Sequence, residues 1–448
     1  MQTVAEALAN LQRTSSSPLF GKLGNLFGAA GFELALVGGP VRDAFLGRVT
    51  NDLDFTTDAT PDQILAVLKG NVDATWDIGR DFGTIGARIG DTHIEITTYR
   101  AEKYDPVSRK PIVAFGSNLT DDLFRRDFTI NSMALRLPEG VFVDPFNGLQ
   151  DLLDGVIRTP GKPEDSFNDD PLRIMRAARF SAQLGFQIHE ETFSAMKTMA
   201  DRIEIVSAER IQVELSKLVL GTEPREGVEA LVDCGLAEII FPELPALKLE
   251  VDEHHHHKDV YEHTLRVLEQ SIDYEEKYQL SGDLVLRLAS LMHDIGKPTT
   301  RKLEPGGGVT FYHHDVVGAK LATKRLKALR YDKDTIESVS RLIELHLRFF
   351  GYSDQAWTDS AIRRYVRDAG DLLSRLHVLT RADVTTRNQR KAERLAHAYD
   401  DLERRIEELA KQEELDAIRP DLNGEEIMEI LGITPGPEVG QAVKPLMS

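Results

Sequence analysis

The 448 residues carry 73 acidic and 54 basic side chains, a formal net charge of −19, with 41% hydrophobic and 28% charged content. These are globular proportions with length for about three domains, and the acidic balance excludes a uniformly basic surface for nucleic acid, because phosphate affinity comes from Lys and Arg. No apolar run approaches the ~20 residues of a membrane span, MQTVAEALANLQRTSSS lacks the apolar core of a secretion signal, and the lone Cys234 fits a reducing compartment. A cytoplasmic protein with no membrane attachment is therefore expected.

The first 30 residues read as helix, from the spacing of Val4, Leu8, Leu11 and then Leu23, Leu26, Phe27. FELALVGG follows as a strand ending in a glycine pair, and PVRDAFLG as a short helix with Pro40 at its start. DLDFTT alternates as a strand, PDQILAVLKG closes a helix on Gly70, and TIGARIG with THIEITTYR forms a strand pair around Gly90-Asp91. AEKYDPVSRKPIVAFGSNLTDD lacks periodicity and reads as a loop. After RTPGKPEDS nearly every segment has helical periodicity, apart from a hairpin at TRKLEPGGGVTFY. KAERLAHAYDDLERRIEELAKQEEL is an amphipathic, solvated helix. The expected class is α+β, a small α/β head followed by an all-helical body.

Chemistry concentrates in LVGGPVRDAFLGRVTNDLDF. Gly38 and Gly39, between a strand and a helix, let backbone N–H groups approach a phosphate, and the helix N-terminus favours the anion. Arg42 adds a charge-assisted contact. On a strand, Asp52 and Asp54 project to one face. Two adjacent carboxylates repel unless a cation lies between them, and hard oxygen ligands suit Mg²⁺ carried with a nucleoside triphosphate.

Together with RRDFTINSMA, DPFNGLQDL, DDPLRIMRAARF and AERIQVEL, this stretch resembles the class II tRNA nucleotidyltransferase and bacterial poly(A) polymerase family, over roughly residues 34 to 220 and in the family's order. The resemblance implies a polymerase-beta-like head that transfers nucleotides to an RNA 3′ end, with Asp52 and Asp54 as catalytic Mg²⁺ ligands. Glu95, on a neighbouring predicted strand, fits a third carboxylate or a half-buried salt bridge equally well. In the family, RRDFTINSMA couples nucleotide contact to domain motion. Arg126 is thus expected on the triphosphate or base, whereas Arg125 also fits a plain surface position. The preceding loop corresponds to one that the family uses when switching from C to A addition.

DDPLRIMRAARF spaces Asp170, Arg173, Arg176 and Arg179 three apart on a predicted helix. Cytosine and adenine both offer an exocyclic amino donor beside a ring-nitrogen acceptor. A carboxylate accepts from the first while a guanidinium donates to the second. Uracil and guanine present the reverse pattern and leave the pair unmatched. The family uses this device, so Asp170 and Arg173 are expected to read C and A, with Arg176 and Arg179 on phosphate or sugar. Asp169 departs from the family's usual Glu, which puts the orienting role of that position in doubt.

LMHDIGKP resembles the HD domain of metal-dependent phosphohydrolases. That superfamily's H…HD…D set maps onto His263, His293, Asp294 and Asp383, with His314 and His346 where its binuclear members carry two further histidines. Mixed imidazole and carboxylate ligands suit a transition metal such as Mn, Ni, Fe or Zn, for hydrolysis of a phosphomonoester or cyclic phosphate. His313 and His377 read as ordinary polar residues. The run His254 to His257 reads as a lip or linker beside the site, with His257 near bound phosphate.

The expected divisions are a head over 1–160, a base-selecting and RNA-binding neck over 161–250, an HD domain over 251–390 and a C-terminal helical segment over 391–448. DLNGEEIMEILGITPGPEVGQAVKPLMS resembles the short motif that follows the HD domain, so a tail domain is expected to be short or absent. The expected partners are tRNA, CTP and ATP. Poly(A) addition, or CC-only or A-only tRNA addition, is the alternative. Arg202 and Arg210 beyond the arginine helix, or Lys320, Lys324, Arg325, Lys327 and Arg330, supply two candidate basic tracks, and both also fit solvated faces.

Overall fold

The computed structural model describes residues 6, 9–10, 17–48, 52–103, 112–115, 118–249, 260–304, 309–349, 352, 357–384, 388–417, 428 and 430. The chain divides into one unit of residues 1–245 with 328–331, and a second of 246–327 with 332–448.

The first unit opens on α1 (Pro18–Ala29), β1 (Leu34–Val37), α2 (Gly39–Phe45) and β2 (Asp52–Thr57). Then come α3 (Pro61–Leu68), β3 (Ala74–Trp76), β4 (Thr84–Ile89) and β5 (Thr92–Thr98). With β8 (Ala134–Leu137) and β9 (Val141–Val143), five of these form a seven-stranded sheet in the order β3-β4-β5-β2-β1-β8-β9. Only β2 and β5 pair in parallel. Local signals fix the ends: Pro40 opens α2, and Thr60 with Gln63 forms a capping box before Pro61.

The expected loop is a correction. Its flanks, β6 (Arg100–Lys103) and β7 (Ile112–Phe115), pair as antiparallel strands, consistent with the β-propensity of Ile-Val-Ala-Phe. Residues 104–111 lie outside the described residues. After α4 (Leu119–Phe124), α5 (Gly148–Asp154) and β10 (Val156–Ile157), the helices α6 (Pro163–Asp169), α7 (Leu172–Leu184), α8 (Glu190–Thr198), α9 (Ala208–Val219), α10 (Pro224–Asp233) and α11 (Leu236–Ile240) follow. A short strand pair that the sequence did not suggest joins β10 to β11 (Gln187–Ile188) in parallel. Helix α7 packs against α9 and α10 and stops at Gly185 in the left-handed region.

The second unit contains α12 (Val260–Glu275), α13 (Leu284–Met292), α14 (Lys297–Thr300), α15 (His314–Ala328), α16 (Lys333–Leu345), α17 (Asp359–Ala369), α18 (Leu373–Ala382) and α19 (Gln389–Ala417). Helix α13 packs against α12, α16 and α18. The expected hairpin is present as β12 (Lys302–Leu303) and β13 (Val309–Thr310). The family-like segment from 421 lies outside the described residues except at 428 and 430.

Candidate functional site

Strand β2 alternates exposed and buried through Asp52, Leu53, Asp54 and Phe55. Phe55 packs under α1, its ring 5.9 Å from that of Phe20 in an edge contact. That burial turns Asp52 and Asp54 out together on the opposite face. Parallel pairing places His93 of β5 beside Asp52 and Glu95 beside Asp54, so a third carboxylate joins the row. The surrounding protein raises the Asp54 carboxyl above its ordinary value although the side chain reaches solvent. Arg126 opposes the shift and the negative Glu95 and Asp52 add to it. A divalent cation would relieve that charge, and carboxylate oxygens are the ligands Mg²⁺ prefers.

Beyond β1 the chain turns at Gly38, whose φ is +71°. The positive φ requires glycine, and a Cβ there would stand 3.0 Å from Arg126 Nη1, so the arginine tip lies against this turn. Arg126 pairs with Asp122 at 3.3 Å, and its Nε is buried without a hydrogen-bond partner. Gly39 opens α2, where Arg42 Nη1 donates to Asn131 Oδ1 at 2.8 Å and Nε donates to Asp43 at 3.0 Å.

A chain of buried polar contacts leads from there to α7. Asn131 Nδ2 donates to Asp127 Oδ1 at 2.9 Å, and Asp127 Oδ2 accepts from Arg176 Nε at 2.9 Å. Glu214 of α9 pairs with Arg176 at 3.4 Å and with Arg179 at 2.6 Å. The Phe180 ring lies beneath Arg42, Arg176 and Arg179. Arg176 and Arg179, expected on phosphate or sugar, therefore spend their charge on Asp127 and Glu214. Burial lowers Arg179 to about 10. Asp127 and Glu214 are the partners that motif spacing alone did not pair with these arginines.

Burial by itself raises the Asp127 carboxyl, but Arg176 and the hydrogen bond from Asn131 outweigh it and hold the group below the usual carboxylate range. A carboxyl depressed on folding contributes stability that is present above its unfolded value and is lost as pH falls below about 4. The Asp127→Ala variant leaves the half-buried Arg176 with only Glu214. It is expected to lose about 1–3 kcal/mol, less than a fully buried pair would, because Arg176 reaches solvent and keeps Glu214, and to show a flatter pH dependence below about pH 4 in thermal melts. Wild-type stability and acid sensitivity in the variant would contradict this.

The predicted helix over Asp170 begins later, which corrects that expectation. Asp170 is extended, with φ −144°, because Pro171 follows it. Its Oδ1 accepts from the Leu172 N–H at 3.2 Å and its Oδ2 pairs with Arg210 of α9 at 2.9 Å. Arg173 Nη1 donates to Ser166 Oγ at 2.8 Å and Nη2 to the Arg125 carbonyl. Arg210 thus meets the carboxylate expected to read the base. Arg202, Lys320, Lys324, Lys327 and Arg330 are exposed, and Arg325 is half-buried.

In the second unit, side chains from five helices converge. His293 and Asp294 lie just past α13, His314 opens α15, and His346 and Asp383 cap α16 and α18, while His263 projects from α12. Ligand atoms of His263, His293 and Asp383 lie within 4.8 Å of one another, as do those of Asp294, His314 and His346. His263 Nε2 is 2.9 Å from Asp383 and 3.5 Å from Asp294; His314 Nε2 is 3.4 Å from Asp294.

The ring orientations fit a metal. Nδ1 of His293, His314 and His346 faces the carbonyls of Ser290, Phe311 and Ile343 at 2.8, 2.9 and 2.6 Å. A carbonyl accepts only from N–H, so in a neutral ring each Nε2 keeps its lone pair turned inward. The Nε2 of His346 is buried with no hydrogen-bond partner, and burial, reinforced by His293, holds this ring down at about 4 and neutral. Burial alone would lower His293, but Asp294 and Asp383 push it up to about 10, so a proton there balances those carboxylates until a cation replaces it. Lys297, three residues after Asp294, pairs with it at 2.9 Å, a partner that the H…HD…D pattern does not mark. His313 is exposed with φ +64°, and His377 stacks on Tyr365 near Glu403, apart from the cluster. His254 to His257 lie outside the described residues.

Three family models match: the poly A polymerase head domain over residues 34–158, a "probable RNA and SrmB- binding site of polymerase A" over 185–247, and the HD domain over 260–388. The chain is 34% identical over 426 residues to the A-adding tRNA nucleotidyltransferase of Deinococcus radiodurans, covering 92% of this chain and 90% of the relative. It belongs to the tRNA nucleotidyltransferase and poly(A) polymerase family. This nucleotidyltransferase is also 36% identical over 322 residues to the CCA-adding enzyme of Lactococcus lactis subsp. cremoris, covering 69% of this chain and 77% of that one. Its fold matches the Bacillus stearothermophilus CCA-adding enzyme in complex with CTP (TM-score 0.60, 24% identity, 96% of this chain and 92% of that one). It also matches the Thermotoga maritima CCA-adding enzyme complexed with tRNA (TM-score 0.61, 20% identity, 100% and 95%). Among the described residues, no helix of the nucleotidyltransferase is long and apolar enough to cross a membrane.

Proposed function

We propose that this nucleotidyltransferase builds CCA on tRNA 3′ ends from CTP and ATP, without a nucleic-acid template, in the cytoplasm. The observation that carries the reading is the Asp52–Asp54–Glu95 row on the sheet face flanked by the Gly38–Arg126 turn. Asp52 and Asp54 hold Mg²⁺, which when bound favours the ionised 3′-hydroxyl and offsets charge on the triphosphate. Gly38, Gly39, Arg42 and Arg126 seat the phosphates, and Asp170 with Arg173 reads the base. Arg176 and Arg179 hold that reader in place through Asp127 and Glu214. The primer 3′-hydroxyl gives up its proton, its oxygen bonds to the α-phosphorus, and the bond to pyrophosphate breaks on the opposite side.

The division into head (1–160), neck (161–250), HD domain (251–390) and C-terminal segment (391–448) belongs to the same proposal. The Deinococcus relative's name favours A-only addition as the competing reading, and poly(A) or CC-only addition are further outcomes. Incubating tRNA ending at the discriminator base, and tRNA ending in CC, with CTP, ATP or both decides among them. Growth of the first substrate by CCA supports the proposal; extension of only the second, by A, replaces it. Asp170→Ala is expected to cut the preference for C and A over U and G by about 100-fold or more, read as ratios of kcat/KM. Unchanged ratios would remove Asp170 from base selection.

A second activity rests on the convergence of six ligands in the HD domain. His263, His293, Asp294, His314, His346 and Asp383 hold a transition metal such as Mn, Ni, Fe or Zn, which supplies charge neutralisation and a hydrolytic nucleophile for a phosphomonoester or cyclic phosphate.

A further inference from the structure

The face of the sheet that carries the carboxylates is unequal on its two sides. Toward β1 it is roofed: Leu119 and Leu123 of α4 pack with Ala35, Val37, Tyr99 and Ala134 in one buried cluster. The register pairs Ala35 with Thr56, which places this roof on the Asp54 side of the sheet. The end of α4 delivers Arg126 to Gly38. The triphosphate contacts of the proposed function therefore lie on the β1 side of β2.

Toward β5, β4 and β3 the same face carries different chemistry. Glu95 registers with Gly86, and Gly86 with Trp76; His93 registers with Arg88. A Cβ on Gly86 would fall 1.9 Å from the Trp76 indole Nε1, so the indole lies across Gly86, one strand beyond Glu95. Any side chain at position 86 would lift it off the sheet. The His93 ring is 5.8 Å from the indole, centroid to centroid, and both His93 and Arg88 are exposed. A half-buried indole flanked by an imidazole and a guanidinium on an acidic chain is a base-stacking platform with a local phosphate contact.

We propose that this shelf, Trp76 with His93 and Arg88, receives the 3′-terminal nucleotide of the RNA primer. The inference rests on the nucleotidyl-transfer reading of Asp52 and Asp54 and extends it to the other substrate. In-line displacement requires the attacking and leaving oxygens on opposite sides of the phosphorus. With the triphosphate on the β1 side of the carboxylates, the attacking hydroxyl arrives from the β5 side, where the shelf lies. Trp76 stacks on the terminal base, which every base permits through its π-face, and Arg88 meets the adjoining phosphate. This stacking suits a primer whose terminal base changes after each addition.

The chain holds two tryptophans, Trp76 and Trp357, so Trp357→Phe leaves Trp76 as the only indole reporter. Its emission is expected to change on titration with tRNA lacking CCA and to stay unchanged with CTP alone. Trp76→Ala is expected to raise the KM for tRNA roughly five- to 150-fold, the range of base–aromatic stacking. The KM for CTP should be unmoved, and Trp76→Phe should recover most of the loss. Trp76 emission that ignores saturating tRNA overturns the proposal, with no dependence on whether Trp76→Ala folds. A rise in the CTP KM instead of the tRNA KM overturns it as well. Failure of the wild-type chain to incorporate any nucleotide would sink the transfer reading itself; normal transfer with an unmoved tRNA KM sinks only the shelf.

Discussion

Replacing Asp52 and Asp54 together by alanine is expected to abolish nucleotide incorporation into tRNA, a loss of at least about 1,000-fold in kcat. The two side chains sit on the open face of β2, where they contribute nothing to the core that Leu53 and Phe55 build on the other side. Their removal should leave the melting temperature within a few degrees of wild type, and relieving repulsion with Glu95 could raise it. Single-turnover incorporation with preformed enzyme–tRNA complex separates loss of chemistry from loss of binding. Substantial residual transfer in a folded double variant would remove these carboxylates from the reaction. The phosphohydrolysis proposed for the HD domain, whose candidate ligands all come from the second unit, should persist in the same preparation.

The reciprocal experiment, Asp294→Ala, should strip the HD domain of the metal proposed for it. Asp294 is fully buried; its carboxylate lies 3.2 Å from His293, 3.4 Å from His314 and 2.9 Å from Lys297. Removing it deletes a ligand of one three-residue group and the counter-charge of Lys297 at once, so metal content measured after dialysis should fall by more than 10-fold. Hydrolysis of phosphomonoesters or cyclic phosphates should vanish with it. CCA addition by the same variant should continue at close to the wild-type rate. Because Lys297 and the histidines lose their buried partner, destabilisation of several kcal/mol is expected. Lys297→Met in addition to Asp294→Ala should return part of that stability without restoring metal. Retention of metal by the single variant would mean that Asp294 is a structural ion-pair partner only.

The sequence by itself determined the family, the α+β class and which candidate side chains share a face. It could do so because these depend on local spacing. Two aspartates at i and i+2 of a strand must share a face, a glycine pair must turn between strand and helix, and an HD dipeptide between spaced histidines repeats a known pattern. The H…HD…D pattern selects His263 and not the run His254 to His257, and His263 lies 2.9 Å from Asp383. Tertiary structure decided which charges are free to act. Spacing three apart made Arg176 and Arg179 look like phosphate contacts, yet Asp127 lies 49 residues before Arg176 and Glu214 lies 38 after it, and folding brings them together. The extended turn at Asp170, set by Pro171, and its pairing with Arg210 across 40 residues are of the same kind. Local rules report which groups share a face. Only long-range packing reports which partner has already neutralised them, and strand order alone separates the side of Asp52 and Asp54 that meets Gly38 from the side that meets Trp76.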